Sequence, residues 1–236
     1  MILVDKMKIT MKLRIWGMGR LAILMTSILW FSCDLSSDDG PNCLNGEGSL
    51  VQETRTAGSF DAIFHQFPGS IFITKGSFPS VVVEGQSNLL PFLNTEIADD
   101  LLSVTFTDCI ETGQPFNVYV SVTSLETINL AGIGNVEFEN EVVTPRLELV
   151  TTGLGDFFIQ GAADTLEITI NGQGNVNGFD MISERCDILI AGTGDVEVTA
   201  NQELFVIING QGNVFYKGMP TVVSDINGLG TVTDAN

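Results

Sequence analysis

The chain has 236 residues, with 10 Lys or Arg against 29 Asp or Glu, so its formal net charge is −19 at pH 7. So acidic a chain is a poor partner for nucleic acid and for anionic membrane surfaces, and we expect no nucleic-acid partner. Its single histidine, His65, excludes a multi-histidine zinc site and leaves one candidate for any histidine-based triad.

Residues 1–32 have the features of a lipoprotein signal peptide. Five basic residues precede an uncharged, mostly apolar dozen at 21–32, which is shorter than the roughly 20 residues of a membrane span. The run ends at Cys33 and resembles a lipobox, so we expect cleavage before Cys33 and its lipidation. Because the bulky Trp30 and Phe31 fit the pattern poorly, the alternative is a conventional signal that leaves Cys33 unmodified.

Residues 33–50 are polar and acidic, and they predict a tether behind the lipid anchor. The acidic run after Cys33 also resembles the surface-export signal of Bacteroidetes lipoproteins. We therefore expect a membrane partner through the anchor and a place in the cell envelope, at the outer membrane. The sequence leaves open whether the domain faces the periplasm or the cell exterior, and it does not indicate an oligomeric state.

Three cysteines follow Cys33. Cys43 lies after the tether and Cys109 in a polar stretch, so in an oxidising compartment they predict a disulfide. Cys186 falls on an inward ladder with Leu147, Leu166 and Leu204, which predicts a buried small apolar side chain rather than a nucleophile.

Residues 51–122 alternate apolar and polar side chains in short runs, separated by turn signals at Pro68-Gly69, Gly76, Gly85 and Pro115. This alternation, with a period of two residues, and the many β-branched residues predict β-strands. This segment is predicted as a β-rich N-terminal half.

Residues 123–236 carry one phrase six times, Gly-x-Gly followed in most copies by Asn or Asp and Val. Its first glycines are 21, 19, 20, 18 and 18 residues apart, a period typical of stacked structural units. Apolar residues two and four before the phrase, and again after it, predict that it is a corner between two inward-facing strands. The twelve corner glycines are Gly132, Gly134, Gly153, Gly155, Gly172, Gly174, Gly192, Gly194, Gly210, Gly212, Gly228 and Gly230.

The fold expected from this pattern is all-β, a right-handed parallel β-helix-like solenoid with about 18–21 residues per coil, preceded by the β-rich half. The order of several phrases supports a family resemblance. Residues 53–63, 71–76, 81–84, 88–90 and 102–106, together with the recurring corner, resemble the head GIN domain family (DUF2807). The resemblance spans residues 51–236 and implies an all-β, β-helix-like domain on bacterial surface lipoproteins, with no catalytic residues to carry over.

One side-chain ladder invites a metal interpretation. Asn135, Asp156, Asn175, Asp195 and Asn213 follow successive corners, and oxygen atoms stacked in this way suit calcium. Asn and Asp also bond backbone groups in turns and stack on one another, and the nine-residue calcium-repeat pattern is absent. We therefore predict a structural ladder, with calcium as the alternative, and no cofactor.

The function predicted is non-catalytic: an anchored, adhesin-like module that binds a glycan or a surface protein. A structural envelope lipoprotein without a specific ligand is the alternative, and a β-helix polysaccharide-processing enzyme is a weaker one, because the few basic residues recur at no repeat position. Exposed aromatic residues would favour binding, and the candidates are Phe64, Phe78, Phe158 and Phe215.

Overall fold

A computed structural model describes residues 43–236, which form strands with one short 3-10 turn at Leu90–Phe92. The predicted all-β class is confirmed. The strands are β1 Leu44–Asn45, β2 Leu50–Arg55, β3 Ala62–Gln66, β4 Gly69–Lys75, β5 Ser80–Gln86, β6 Leu93–Ala98, β7 Leu101–Phe106, β8 Ile110–Glu111, β9 Phe116–Val122, β10 Thr127–Leu130, β11 Val136–Phe138, β12 Val142–Thr151, β13 Phe157–Ile170, β14 Val176–Ile190, β15 Val196–Ile208, β16 Val214–Lys217, β17 Thr221–Ile226 and β18 Val232–Asp234.

The repeat folds into a parallel solenoid, as expected. Each strand pairs with its equivalent one period later, so that Leu147, Leu166, Cys186 and Leu204 occupy one register across β12 to β15. Two stacks result. The pre-corner sheet contains β7, β3, β10, β12, the ends of β13 to β15, and β17, whereas the post-corner sheet contains β9, β4, β11, the starts of β13 to β15, β16 and β18.

Alternate residues of both sheets point into one core. Leu166, Ile168 and Ile170 of β13 are almost fully buried before a corner, and Phe157 and Val176 are buried after one. Burial of one such side chain contributes about 1.5 to 3 kcal/mol, and stacking repeats it coil after coil. The predicted ladders two and four residues before a corner are therefore the interior of the solenoid as far as Val206 and Ile208, whereas Ser224 and Ile226 of the last coil are exposed.

The N-terminal half continues the same stack instead of preceding it. β3 and β4 form a coil beside β10 and β11, and β7 and β9 form the next coil outward. Two antiparallel strands, β5 and β6, pair with that outer coil, and β2 adds to β5. The chain thus builds outward first and returns at β10, so residue 122 is no structural boundary between two halves.

The corners require glycine because consecutive coils approach each other through their backbones. A Cβ on Gly172 would overlap the carbonyl oxygen of Gly153 in the coil before. Gly155 adds a positive φ of 152° and would meet the carbonyl oxygen of Gly134. The middle residues of the Gly-x-Gly corners pair in a parallel series from Ile133 to Leu229, and Pro68 continues the series before Ile133, which places these corners along one edge.

The start of the described chain is fixed to the outer coil. The predicted disulfide is confirmed, since Cys43 and Cys109 are bonded with 4.6 Å between their Cα atoms. It holds β1 in parallel pairing with β8, so the last part of the predicted tether, 33–50, is ordered, and β2 already begins at Leu50. The predicted signal peptide and the lipidation site Cys33 lie outside the described residues, within which no helix is long and apolar enough to cross a membrane.

Candidate functional site

The Asn/Asp ladder is engaged in hydrogen bonds between coils. From Asp156 onward, the backbone amide of each ladder residue donates to the side-chain oxygen of the ladder residue one coil earlier, at distances from 2.6 to 3.1 Å. The Asn175 and Asn213 amides also donate to Asp156 and Asp195, at 3.1 Å each. One oxygen of every ladder side chain thus satisfies a backbone amide, which is what a structural ladder requires.

The outer surface of the pre-corner sheet carries internally paired charges. Arg146 lies 2.7 Å from Glu167 and 3.4 Å from Glu148, and Arg185 lies 2.9 Å from both Asp187 and Glu203. The hydrogen bond from Arg146 holds the pKa of the Glu167 carboxyl below its usual value. Because each arginine contacts two carboxylates, these four carboxylates already have an ion-pair partner within the protein.

The outer surface of the post-corner sheet differs, because aromatic side chains are interspersed there with polar ones that lie outside the ion pairs. Cross-strand pairing aligns one column over eight strands: Tyr119, Phe72, Glu137, Phe158, Asn177, Glu197, Phe215 and Thr233. We call it the aromatic column. The rings of Phe72 and Tyr119 stack with 5.2 Å between centroids, and Phe158 is 40% exposed. Within the described residues, Glu137 and Glu197 form no ion pair, so their charges face solvent.

Two of the four predicted aromatic candidates, Phe158 and Phe215, belong to the aromatic column. Phe78 is 81% exposed but lies in the turn after β4, and Phe64 is half-buried on the pre-corner sheet. The structure therefore does not bring these four together. Sequence reasoning missed Phe72, Tyr119 and Phe179, although the outward position of the first two follows from the alternation in their strands.

The buried thiol and imidazole are part of the core. Cys186 is fully buried in the predicted ladder, and burial raises the pKa of its thiol far above the usual value. His65 is also fully buried; its Nε2 is 2.6 Å from the Gly69 carbonyl oxygen, and its ring stacks on Phe67. Burial lowers the pKa of His65 below its ordinary value, so the neutral ring is favoured, with Nε2 as the donor.

The remaining acids are dispersed over the surface. No group of three or more His, Cys, Asp or Glu side chains is placed to hold a metal ion among residues 43–236. With the arginines paired and the histidine buried, the outer surfaces offer aromatic rings, amides and carboxylates, which are groups suited to recognition.

Comparisons with known proteins agree with this architecture. The model of the family described as "Putative auto-transporter adhesin, head GIN domain" matches residues 59–220, which contain most strands of both sheets and most of the corners. No curated protein is significantly similar to the chain.

Solved structures of bacterial proteins share the fold. A "putative adhesin" from Bacteroides fragilis NCTC 9343 aligns with a TM-score of 0.68 at 18% identity, covering 81% of this chain and 99% of that one. A "putative adhesin" from Parabacteroides merdae ATCC 43184 aligns with a TM-score of 0.52 at 21% identity, covering 82% of this chain and 99% of that one. A "Putative lipid binding protein" from Parabacteroides distasonis ATCC 8503 aligns with a TM-score of 0.51 at 19% identity, again covering 82% of this chain and 99% of that one. At these identities the likeness establishes the fold alone.

Proposed function

Since this chain belongs to the adhesin head GIN domain family, we propose that it is a non-catalytic binding module anchored in the bacterial envelope, where it recognises a glycan or a protein. The family description and the adhesins among the structural neighbours support an envelope or surface role. Lipidation at Cys33 provides the anchor, and the acidic residues behind it space the domain from the outer membrane.

The observation that carries the binding function is the aromatic column on the post-corner sheet. Aromatic rings give large contact areas at a low cost in conformational entropy, and the stacked Phe72 and Tyr119 show that neighbouring coils align such rings. Strands of the solenoid hold Phe158 and Phe215 in register, so the surface is rigid before a ligand arrives.

Anchoring is tested separately from binding. Mass spectrometry of the protein purified from its host membranes is expected to show an acylated Cys33 at the new N-terminus, and Cys33→Ser is expected to release the protein into the soluble fraction. An unmodified Cys33 in a membrane-free protein would refute the anchor and leave the binding surface unaffected.

Binding is tested by presenting the purified protein to a glycan array and to an array of extracellular proteins. We expect saturable binding to at least one ligand, with loss of binding in a Phe158→Ala variant that melts like the wild type. The competing function is a stiff envelope protein without a specific ligand, which the paired charges of Arg146 and Arg185 on the pre-corner surface favour. Absence of binding on both arrays would support that alternative.

A further inference from the structure

A recess on the post-corner surface marks the place where the repeat loses its regularity. The pairing of β14 with β15 passes from Gly178 and Val198 directly to Ile182 and Thr199, which leaves residues 179–181 without partners in β15. The same segment is irregular against β13. Bulges of this kind redirect side chains, and here a recess of about 310 Å³ opens beside the aromatic column. Phe158, Gln160, Asn177, Phe179, Asp180 and Glu197 line it.

The polar lining of this recess presents hydrogen-bond acceptors. Gln160 donates its amide to the Phe138 carbonyl at 2.7 Å, and Asn177 donates to the Phe157 carbonyl at 3.3 Å, so the two amide oxygens stay available. The carboxylates of Asp180 and Glu197 have no ion-pair partner in the described part of the chain. A ligand that satisfies this lining must supply donors.

The aromatic lining suits a cation. Phe158 is 40% exposed, and the ammonium of Lys217 lies 4.2 Å from the centroid of the Phe179 ring, where the negative face of the ring attracts positive charge. Lys217 offsets only one of the two carboxylate charges. The recess therefore keeps a net negative charge on an acidic protein, which also steers cations toward it.

The opposite sheet shows the same groups already holding a guanidinium. The Arg185 side chain stacks on Phe205 with 4.4 Å between Cζ and the ring centroid, and its nitrogens lie 2.9 Å from Asp187 and from Glu203. One ring and two carboxylates thus bind one arginine within this fold. The recess offers Phe158 and two carboxylates without an arginine of its own, and its neighbouring cation, Lys217, lies on the Phe179 ring.

We propose that this recess binds an arginine side chain of a basic segment in a partner protein, with the guanidinium against Phe158 and paired with Asp180 and Glu197. The proposal rests on the proposed function, because the recess belongs to the same outer surface, and it selects a basic protein over a glycan. A guanidinium supplies five donors in one plane, matching the two carboxylates and the two amide oxygens of this lining.

The test uses an acetylated tri-arginine amide peptide and its tri-citrulline counterpart, in which a neutral urea replaces each guanidinium. Isothermal titration with the purified protein is expected to show saturable binding of the arginine peptide that weakens with added salt, and citrulline binding at least about tenfold weaker. The double variant Asp180→Asn/Glu197→Gln is expected to lose about tenfold or more in affinity. Its matched control, Asp164→Asn/Glu96→Gln, removes two exposed charges elsewhere and is expected to change affinity less than about twofold.

If both double variants lose the same affinity for the arginine peptide, the proposal is overturned, because the net charge of the protein alone would then account for binding. Absence of peptide binding would overturn it as well. If a glycan binds and Phe158→Ala abolishes that binding while the arginine peptide does not bind, the recess is a sugar site and the proposed function stands without this inference. If no ligand depends on Phe158, Asp180 or Glu197, both proposals fail.

Discussion

The backbone amide of Asp195 donates a hydrogen bond of 2.9 Å to the Asn175 side-chain oxygen one coil earlier. The same bond recurs along the Asn/Asp ladder, so the ladder oxygens satisfy amides at the corners, where regular strand pairing is interrupted. An oxygen that accepts a short hydrogen bond from the backbone is poorly available to a metal ion. Calcium would have to compete with these bonds or use only the outer oxygens.

We therefore expect that millimolar calcium leaves the protein unchanged. Calorimetric titration should give no saturable heat, and the melting temperature should be the same in calcium and in a chelator. A stoichiometric heat together with a higher melting temperature would instead assign the ladder of Asn135, Asp156, Asn175, Asp195 and Asn213 to calcium binding, since a ligand that binds the native state raises stability.

Gly174→Val should strongly destabilise the solenoid. A Cβ at Gly174 would overlap the backbone carbonyl of Gly155 in the neighbouring coil, and backbone cannot move aside without disturbing the stack. We expect a loss of about 2 kcal/mol or more, seen as a lower urea midpoint. Gly113→Val is the control, because nothing lies within 4 Å of its Cβ position. Equal midpoints for the two variants would refute the corner assignment.

Stability should fall as the pH is lowered from about 7 toward 5 through the titration of His65. Burial lowers the pKa of folded His65 below its ordinary value of 6.5, so the unfolded chain binds a proton first as the pH falls. The contribution of the neutral His65 ring to the free energy of unfolding is fully present above about pH 6.5 and is lost as the pH falls toward the pKa of the folded state. As the only histidine, His65 can be isolated by His65→Leu, whose melting temperature should depend less on pH in this range. An unchanged pH profile would contradict this origin.

Removal of the disulfide should cost about 4 kcal/mol on chain-entropy grounds, because Cys43 and Cys109 are 66 residues apart. Cys43→Ala/Cys109→Ala should unfold at a lower urea concentration than the wild type, and reductant should lower the wild-type midpoint by a similar amount. Cys186→Ala serves as the reductant control, since that thiol is buried and free. If reductant does not alter the wild-type midpoint, the bond does not contribute to stability.

Periodicity predicted the parts of the fold that repeat. The spacing of Gly132 to Gly228 and the apolar ladders before each corner determine a parallel stack, because identical positions must pair with each other. It did not predict that β3, β4, β7 and β9 extend the stack. Their corners lack the Gly-x-Gly phrase, since Pro68 takes the place of a middle residue and a loop closed by Cys109 separates β7 from β9.

The candidate site was harder to predict because it depends on an exception to the repeat. Gly172 and Gly192 are 20 residues apart, whereas Gly192 and Gly210 are 18 residues apart. The longer spacing reflects the bulge at residues 179–181. One sequence does not reveal where the extra residues are accommodated. Phe158 was a candidate from the sequence, but its alignment with Asn177 and Glu197 and the orientation of the Asn177 and Gln160 amides required coordinates.

Ligands are expected to bind the aromatic column on the post-corner surface, and the affinity of Phe158→Ala for the tightest array ligand tests this directly. The matched control is Val143→Ala, a change at a side chain that is 61% exposed outside this surface. We predict a loss of about tenfold or more for Phe158→Ala and less than about twofold for Val143→Ala, at equal melting temperatures. Wild-type affinity in Phe158→Ala would contradict the claim.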